Sequence, residues 1–219
     1  MLITYYGNSC FKIQTKPKRG DQDVIVYLDP FDKSIGLKPP QGKADIVLSS
    51  HNHPDHNSTQ GLRGDFFLVD APGEYTLRGV NILGLESFHD DQNGALRGRN
   101  TIFILESEEM RICHLGDLGH PLSEKQVEEI GDIDILMIPI GGNYTIDAKI
   151  AQKVSAHIEP SIIIPMHYKT KDLTLDIDNE KEFLSLFGAE GKQTETKLNL
   201  KKKDIDEKEN HIILMGIEQ

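Results

Sequence analysis

The chain of 219 residues has no tryptophan and only two cysteines, Cys10 and Cys113. Two thiols cannot build a disulfide framework, and their scarcity fits a reducing compartment. Long apolar runs are also missing. The longest, near Ile133 to Ile140 and Ile162 to Met166, fall far short of the ~20 residues that a membrane-crossing helix needs. The opening residues Met1 to Gly7 show neither the basic stretch nor the apolar run of a secretory signal, so a cytoplasmic protein with no membrane partner is expected. Basic residues are in deficit: 24 Lys and Arg stand against 35 Asp and Glu, for a formal net charge of −11. Such a surface repels phosphate backbones, and no basic stripe offsets it, which argues against a nucleic-acid partner. Bound divalent metals would reverse that sign locally. No repeat, low-complexity tract or linker divides the chain, so a single domain over 1–219 is expected. The charged stretch Lys201 to Glu209 reads as a solvated turn.

Short segments rich in β-branched and aromatic residues, bounded by turn residues, read as strands. They are Leu2 to Tyr6, Cys10 to Gln14, Asp23 to Leu28, Ile46 to Ser49, Phe66 to Val69, Val80 to Phe88, Thr101 to Leu105 and Met110 to Cys113. Helices follow. Ser123 and Gln126 form a capping box ahead of Val127 and Ile130. Asp147 is placed to cap a helix carrying Ile150, Val154 and Ile158, stopped by Pro160. Asp178 is placed to cap a third through Phe183, Leu184 and Phe187, closed by Gly188. Between them lie buried strands at Ile133 to Ile138 and Ile162 to Pro165. Lys197 to Leu200 and His211 to Ile217 read as a closing hairpin. Strands first, then strand–helix alternation, suggests layered sheets with helices outside.

The strongest chemical signal is Ser50-His51-Asn52-His53-Pro54-Asp55-His56-Asn57. Three His and one Asp lie within six residues, directly after an apolar strand. Imidazole and carboxylate suit zinc, and also manganese or iron. In extended chain His51 and His53 point to one side. Asp55 and His56 follow in a turn and can face a second point nearby, so the spacing offers ligands to two adjacent ions. A polar surface turn with chance histidines is the bland alternative, but clustered His and Asp ordinarily need a ligand or partner.

His-x-His-x-Asp-His after a strand resembles the metallo-β-lactamase superfamily, and the family's further motifs follow in order. Asp29 in Leu28-Asp29-Pro30-Phe31 matches its early aspartate, which supports the ligands from behind. His89, at the end of the strand Val80 to Phe88, matches the third-motif histidine. Asp117 in Cys113-His114-Leu115-Gly116-Asp117 matches the bridging aspartate, and His167 in Ile164-Pro165-Met166-His167-Tyr168 the last histidine. The resemblance implies an α+β fold, the αββα four-layer sandwich of two mixed sheets with helices on the outer faces. It also implies two divalent ions, zinc first and manganese as the alternative. His51, His53 and His89 would hold one; Asp55, His56 and His167 the other; Asp117 would bridge. His114 also ends a strand, but it lies only three residues before Asp117, whereas the family leaves a hairpin or more between these motifs. With His89 preferred, His114 stands behind the ligands, faces substrate, or is structural.

A narrower resemblance is to the lactonase-like branch, which includes L-ascorbate-6-phosphate lactonase. It is carried by Ile3-Thr-Tyr-Tyr-Gly7-Asn8-Ser9-Cys10-Phe11, by Ile138 to Ala148, and by Ile164 to Tyr168. The chain departs at Asn8, where the branch commonly has His. Asn does not titrate, so no proton-transfer role carries over; Asn8 keeps hydrogen bonding to a ligand, or a plain turn role. Gly141 and Gly142 read either as backbone donors to an oxyanion or as a tight turn. Asn143, Tyr144 and Tyr168 are expected to line the pocket.

The function implied is a metal-dependent hydrolase in which a metal-bound hydroxide attacks a small ester, lactone or phosphorylated substrate, with Asp55 and Asp117 in catalytic roles. The alternative is a phosphodiesterase or nuclease of the same fold. A di-iron redox module is disfavoured, since such members replace an early His by a carboxylate whereas His53 is present. A non-catalytic binding protein is disfavoured by the intact ligand set. The partner is a small molecule, and homo-oligomerisation is left open.

Overall fold

In Ile162–Met166 the alternation of side chains decides which core each residue joins. Ile162, Ile164 and Met166 enter one apolar cluster and Ile163 another, as a period of two requires. The strand Ile135–Pro139 divides in the same way, with Ile135 and Met137 on one face and Leu136 and Ile138 on the other. Strands buried on both faces are therefore sandwiched.

The computed structural model describes residues 1–17, 22–189, 196–205 and 210–218. In chain order its strands are β1 (Leu2–Gly7), β2 (Cys10–Thr15), β3 (Val24–Leu28), β4 (Gly42–Lys43), β5 (Ile46–Leu48), β6 (Leu62–Arg63), β7 (Phe67–Val69), β8 (Gly73–Leu77), β9 (Val80–Phe88), β10 (Arg99–Ser107), β11 (Met110–His114), β12 (Ile135–Pro139), β13 (Ile162–Met166), β14 (Lys197–Asn199) and β15 (His211–Ile212). The α-helices are α1 (Glu124–Ile130), α2 (Ala148–Ile158) and α3 (Lys181–Leu186). One sheet runs β14-β1-β2-β3-β5-β7 and the other β15-β13-β12-β11-β10-β9-β8, while β4 and β6 form a small ribbon. Both large sheets are mixed: β3, β5 and β7 are parallel to one another, as are β11, β12, β13 and β15. The main core lies between the sheets, where Ile3, Phe11, Val26 and Leu48 of one meet Phe103, Ile112, Met137 and Ile164 of the other.

The expected α+β sandwich is thus formed. All three described α-helices belong to the cluster on the outer face of the second sheet, through Ile130, Ala151, Val154, Ile158, Phe183 and Leu184. On the outer face of the first sheet, Tyr27 of β3 and Val47 of β5 pack instead with Ala44 and with Leu62 of the β4–β6 ribbon. The helices have 7, 11 and 6 residues, and isolated helices below ~12 residues are marginal in water. Packing holds them: burying one Ile or Phe contributes about 1.5–3 kcal/mol, more than any propensity difference among ordinary residues.

The capping box of Ser123 and Gln126 forms, and Asp147 accepts from the Ile150 N–H at 2.8 Å. Glu159 ends α2 in a left-handed conformation just before Pro160. Two expectations are corrected and one strand is added. Asp178 does not cap α3, which starts after Glu180 with no side-chain cap; its backbone instead joins Gly141 and Lys169. The terminal segments do not form a hairpin, because β14 pairs with β1 in one sheet and β15 with β13 in the other. The strand β8 was not anticipated, since its alternating half-buried residues Gly-Glu-Tyr-Thr-Leu carry little apolar signal. In the charged stretch, Lys202–Asp204 forms a 3-10 turn, and 206–209 lie outside the described residues. Among the described residues no helix is long and apolar enough to cross a membrane.

Candidate metal centre

The sheet directions gather the ligand-type residues. β3 and β5 are parallel neighbours, so Asp29 and the His51 loop leave the first sheet at the same end. β9 and β11 both run antiparallel to β10 between them, so His89 and Asp117 leave the second sheet together. β13 is parallel to this direction through β12 and ends at Met166, delivering His167 to the same edge. Asp29 and His167 turn out of their strands with φ of 43° and 49°. Non-glycine residues rarely adopt this conformation. Gly116 is required before Asp117: a Cβ there would lie 2.3 Å from Asn100 Oδ1 and 2.6 Å from Ser50 Cβ.

Two groups of ligand atoms result, each within 4.8 Å of one another: His51, His53 and His89, and then Asp55, His56, Asp117 and His167. Asp117 Oδ2 lies between them. It is 3.2 Å from His89 Nε2, 3.9 Å from His51 Nε2, 3.2 Å from His56 Nε2 and 3.3 Å from His167 Nε2. Asp55 Oδ2 is 3.2 Å from His56 Nε2. His51, His56, His89, Asp117 and His167 are buried; His53 and Asp55 are half-buried. All seven sequence-derived ligand candidates are therefore brought together.

Residues behind them fix the imidazoles. Asp29 accepts from the Ser50 N–H and Ser50 hydroxyl, each at 2.7 Å, and from His56 Nδ1 at 2.8 Å. His56 then turns its unprotonated Nε2 inwards whenever an ion takes the place of its second proton. Because the Ser50 hydroxyl donates to Asp29, it accepts from His51 Nδ1 at 2.9 Å. His51 Nε2 is left as a lone pair, buried and without a hydrogen-bond partner among the described residues. Asn100 Oδ1 accepts from the Asp117 N–H at 2.9 Å, and the Ser9 hydroxyl reaches Asp117 Oδ1 at 3.4 Å.

The protonation states follow. Burial pushes the His51 pKa down to about 3, with His56 adding to the effect. Burial also lowers that of His53. For His56 burial opposes the charge, yet Asp117, Asp55 and Asp29 outweigh it and hold the pKa well above the ordinary value. Asp117 is the converse: burial disfavours its charge, but His167 and His56 keep it well below the carboxylate range. Five imidazoles and two carboxylates with no thiolate, and an orphaned inward lone pair on His51, fit divalent ions of the zinc or manganese type.

Other expected residues behave differently. His114 is fully buried, donates from Nε2 to Ser9 O at 2.9 Å, accepts from the Gly116 N–H at 3.2 Å, and meets Phe11 edge-on. It faces no substrate; it holds the β1–β2 turn against the Asp117 loop. Gly142 donates its N–H to Ile146 O at 3.2 Å, so that N–H closes a turn and does not point at an oxyanion. Tyr168 packs in the core beneath the helices, and Asn143 donates to Asp176 O at 2.8 Å; neither lines the pocket. Asn8 does reach the site. Its side-chain amide lies 3.3 Å from Asp55 Oδ2 and 3.4 Å from His56 Nε2.

A cavity of about 370 Å³ opens on this centre, lined by His53, Asp55, His89, Asp117 and His167 together with Leu96, Arg97, Tyr144 and Leu175. A cavity of about 410 Å³ beside Glu74, Glu106 and Arg111 is larger, but it holds none of the ligand groups. Sequence reasoning anticipated Tyr144 and missed Ser50, Asn100, Leu96, Arg97 and Leu175. Ser50 had a signal, a hydroxyl directly before the first ligand. The others act across strands or loops and left none.

The sequence family described as a beta-lactamase superfamily domain matches residues 2–167. The chain is 38% identical to a Thermotoga maritima protein whose crystal structure is described as a candidate zinc-dependent hydrolase of the metallo-β-lactamase superfamily. That comparison covers 98% of this chain and 97% of the other, with a TM-score of 0.77. It is 30% identical to a UPF0173 metal-dependent hydrolase of Thermoplasma acidophilum, over 87% of this chain and 92% of the relative. It is 27% identical to the UPF0173 metal-dependent hydrolase YtkL of Bacillus subtilis, over 88% and 96%.

Proposed function

This chain belongs to the metallo-β-lactamase superfamily, and on that premise we propose that it is a metal-dependent hydrolase of a small ester or lactone, with two divalent ions, zinc before manganese. His51, His53 and His89 would hold one ion, Asp55, His56 and His167 the other, and Asp117 would serve both. The observation that carries this reading is the position of Asp117 Oδ2, within 3.2–3.9 Å of imidazole nitrogens from both groups. When bound, such ions activate water near neutral pH and polarise the oxygen of the scissile group.

The chain's own residues do the rest. Asp117 balances positive charge at the centre, and Asn100 and Ser9 hold it in place. Asp55 is the half-buried carboxylate open to the cavity, placed to orient the attacking water and accept its proton. The Asn8 amide donates to Asp55 Oδ2, which restricts the carboxylate's rotation. Asp29 and Ser50 keep His56 and His51 in the tautomers that ligation needs. The small cavity suits a small molecule.

The test is elemental analysis of protein prepared without added metal, with turnover of a lactone panel and of bis(p-nitrophenyl) phosphate. Two equivalents of metal and chelator-sensitive lactone or ester hydrolysis are expected. A protein that binds neither zinc nor manganese would end the metal reading, and turnover confined to the phosphodiester would replace the substrate class.

A further inference from the structure

We propose that Arg97 recognises an oxyanion on the substrate, so that the molecule cleaved here carries a carboxylate or phosphate group beside its scissile bond. This rests on the reading of the centre as a small-molecule hydrolase site and names the class of substrate it takes.

Among the described residues Arg97 is the one Lys or Arg side chain lining the cavity, which Leu96, Tyr144 and Leu175 also line together with the ligand-type residues. Its guanidinium carbon lies 5.4 Å from the centre of the Tyr144 ring. Stacking on an aromatic face orients a guanidinium while leaving its N–H edge available for a planar or tetrahedral oxyanion. Other arginines near the sheet edge are engaged by carboxylates, Arg78 by Asp45 and Arg99 by Glu86. No ion pair among the described residues engages Arg97.

Its position is built in, and it is built onto a ligand. Asp90, directly after His89, accepts backbone N–H groups from Gln92, Gly94, Leu96 and Arg97 at 2.8–2.9 Å. The His89 N–H donates to Gly98 O at 3.0 Å, which closes the loop immediately after Arg97. The loop that supplies a ligand at one end therefore presents the guanidinium at the other. A protein with a formal charge of −11 discourages anions at long range. An arginine lining the cavity on the centre supplies short-range selection that the net charge does not.

The test uses matched lactones that differ in charge: gluconolactone, its 6-phosphate, and the carboxylate-bearing glucarolactone. They are assayed with zinc-loaded wild-type protein, Arg97→Gln and Arg97→Lys. Wild type is expected to favour the anionic lactones, and whichever of the two is better used identifies phosphate or carboxylate as the group recognised. Arg97→Gln is expected to raise KM for them about 10- to 100-fold, the loss typical of a charge-assisted contact. The same variant should lower kcat/KM for gluconolactone by far less than for the anionic lactones, with Arg97→Lys intermediate. An equal loss on neutral and charged lactones would make Arg97 a structural residue and overturn the proposal. If no lactone is turned over, the lactone reading fails separately, and Arg97 is then judged by calorimetric binding of 6-phosphogluconate against gluconate. Tighter binding of the phosphate that Arg97→Gln abolishes supports it; equal binding by wild type and variant overturns it.

Discussion

The two ligand groups differ in charge and in how they are held. His51, His53 and His89 are three imidazoles with no carboxylate of their own, whereas Asp55, His56, Asp117 and His167 include two. In the second group His56 is fully buried and tied directly to Asp29, and Asn8 touches both Asp55 and His56. In the first, His51 is tied to Asp29 only through the Ser50 hydroxyl, and His53 is half-exposed. The carboxylate-bearing group therefore carries its own charge balance. The imidazole group depends on Asp117, which it reaches through His89 and His51. Hard oxygen donors suit manganese and zinc alike, while an all-imidazole set leans towards zinc.

The largest effect is expected from Asp117→Asn, which removes the charge common to both groups. Hydrolysis should fall on the order of 1,000-fold, equivalent to losing several kcal/mol of charge stabilisation. Elemental analysis should show both equivalents weakened; loss of only one would break the idea that Asp117 is shared. Next in size is a pair of variants with opposite signatures. Asp55→Asn should lower kcat about 100-fold, within the range for a lost acid–base group, at nearly normal metal content. His53→Ala should instead lose about one metal equivalent together with activity, because it removes a neutral ligand. Full turnover by Asp55→Asn at normal metal content would remove that residue from the chemistry.

Smaller effects sharpen the contrast. Asp29→Asn should weaken metal affinity by about 10- to 100-fold in both groups, since Asp29 holds His56 directly and His51 through Ser50. Ser50→Ala should weaken only the imidazole group; an equal loss in both would mean that Ser50 acts by supporting Asp29. The smallest effect is in pH dependence. The raised pKa of His56 means that it keeps its proton near neutrality in the metal-free protein, so loading its group must displace that proton. Affinity there should rise about tenfold per pH unit up to the His56 pKa and then level. His51 and His53, with lowered pKa values, are already neutral and add no slope to their group over the same range. Competition titrations with a chromophoric chelator read both slopes, and identical slopes would void the distinction.

The candidate ligands that converge in space were legible because few residue types can bind a divalent ion, and because strand-end motifs repeat a recognisable order. The strands were legible through alternation, and α1 and α2 through the caps at Ser123 and Asp147. Legibility failed where a role depends on approach through space. His114 looks like a ligand in one dimension, but its ring is taken by Ser9 O and the Gly116 N–H. Gly142 looks like an oxyanion donor until Ile146 O takes its N–H. Asp178 has the right residue type and spacing for a helix cap, but the pull of Gly141 and Lys169 on its backbone moves the helix start.

The sequence by itself determined which residues are candidates for metal chemistry: His51, His53, Asp55, His56, His89, Asp117 and His167 stand out by residue type and order, and the alternation of Ile and Val commits the strands to a two-faced core. Only the tertiary structure decided that β14 and β15 part to different sheets, because each edge pairs with whichever strand leaves its N–H and C=O groups unmet. It alone decided that Asp29 links both ligand groups through Ser50, and that the loop cinched by Asp90 carries Arg97 to the cavity on the site. Ligand identity is a property of single side chains and survives in one dimension. Support and selection are distances between residues far apart in the chain, and those exist only once the two sheets close on each other.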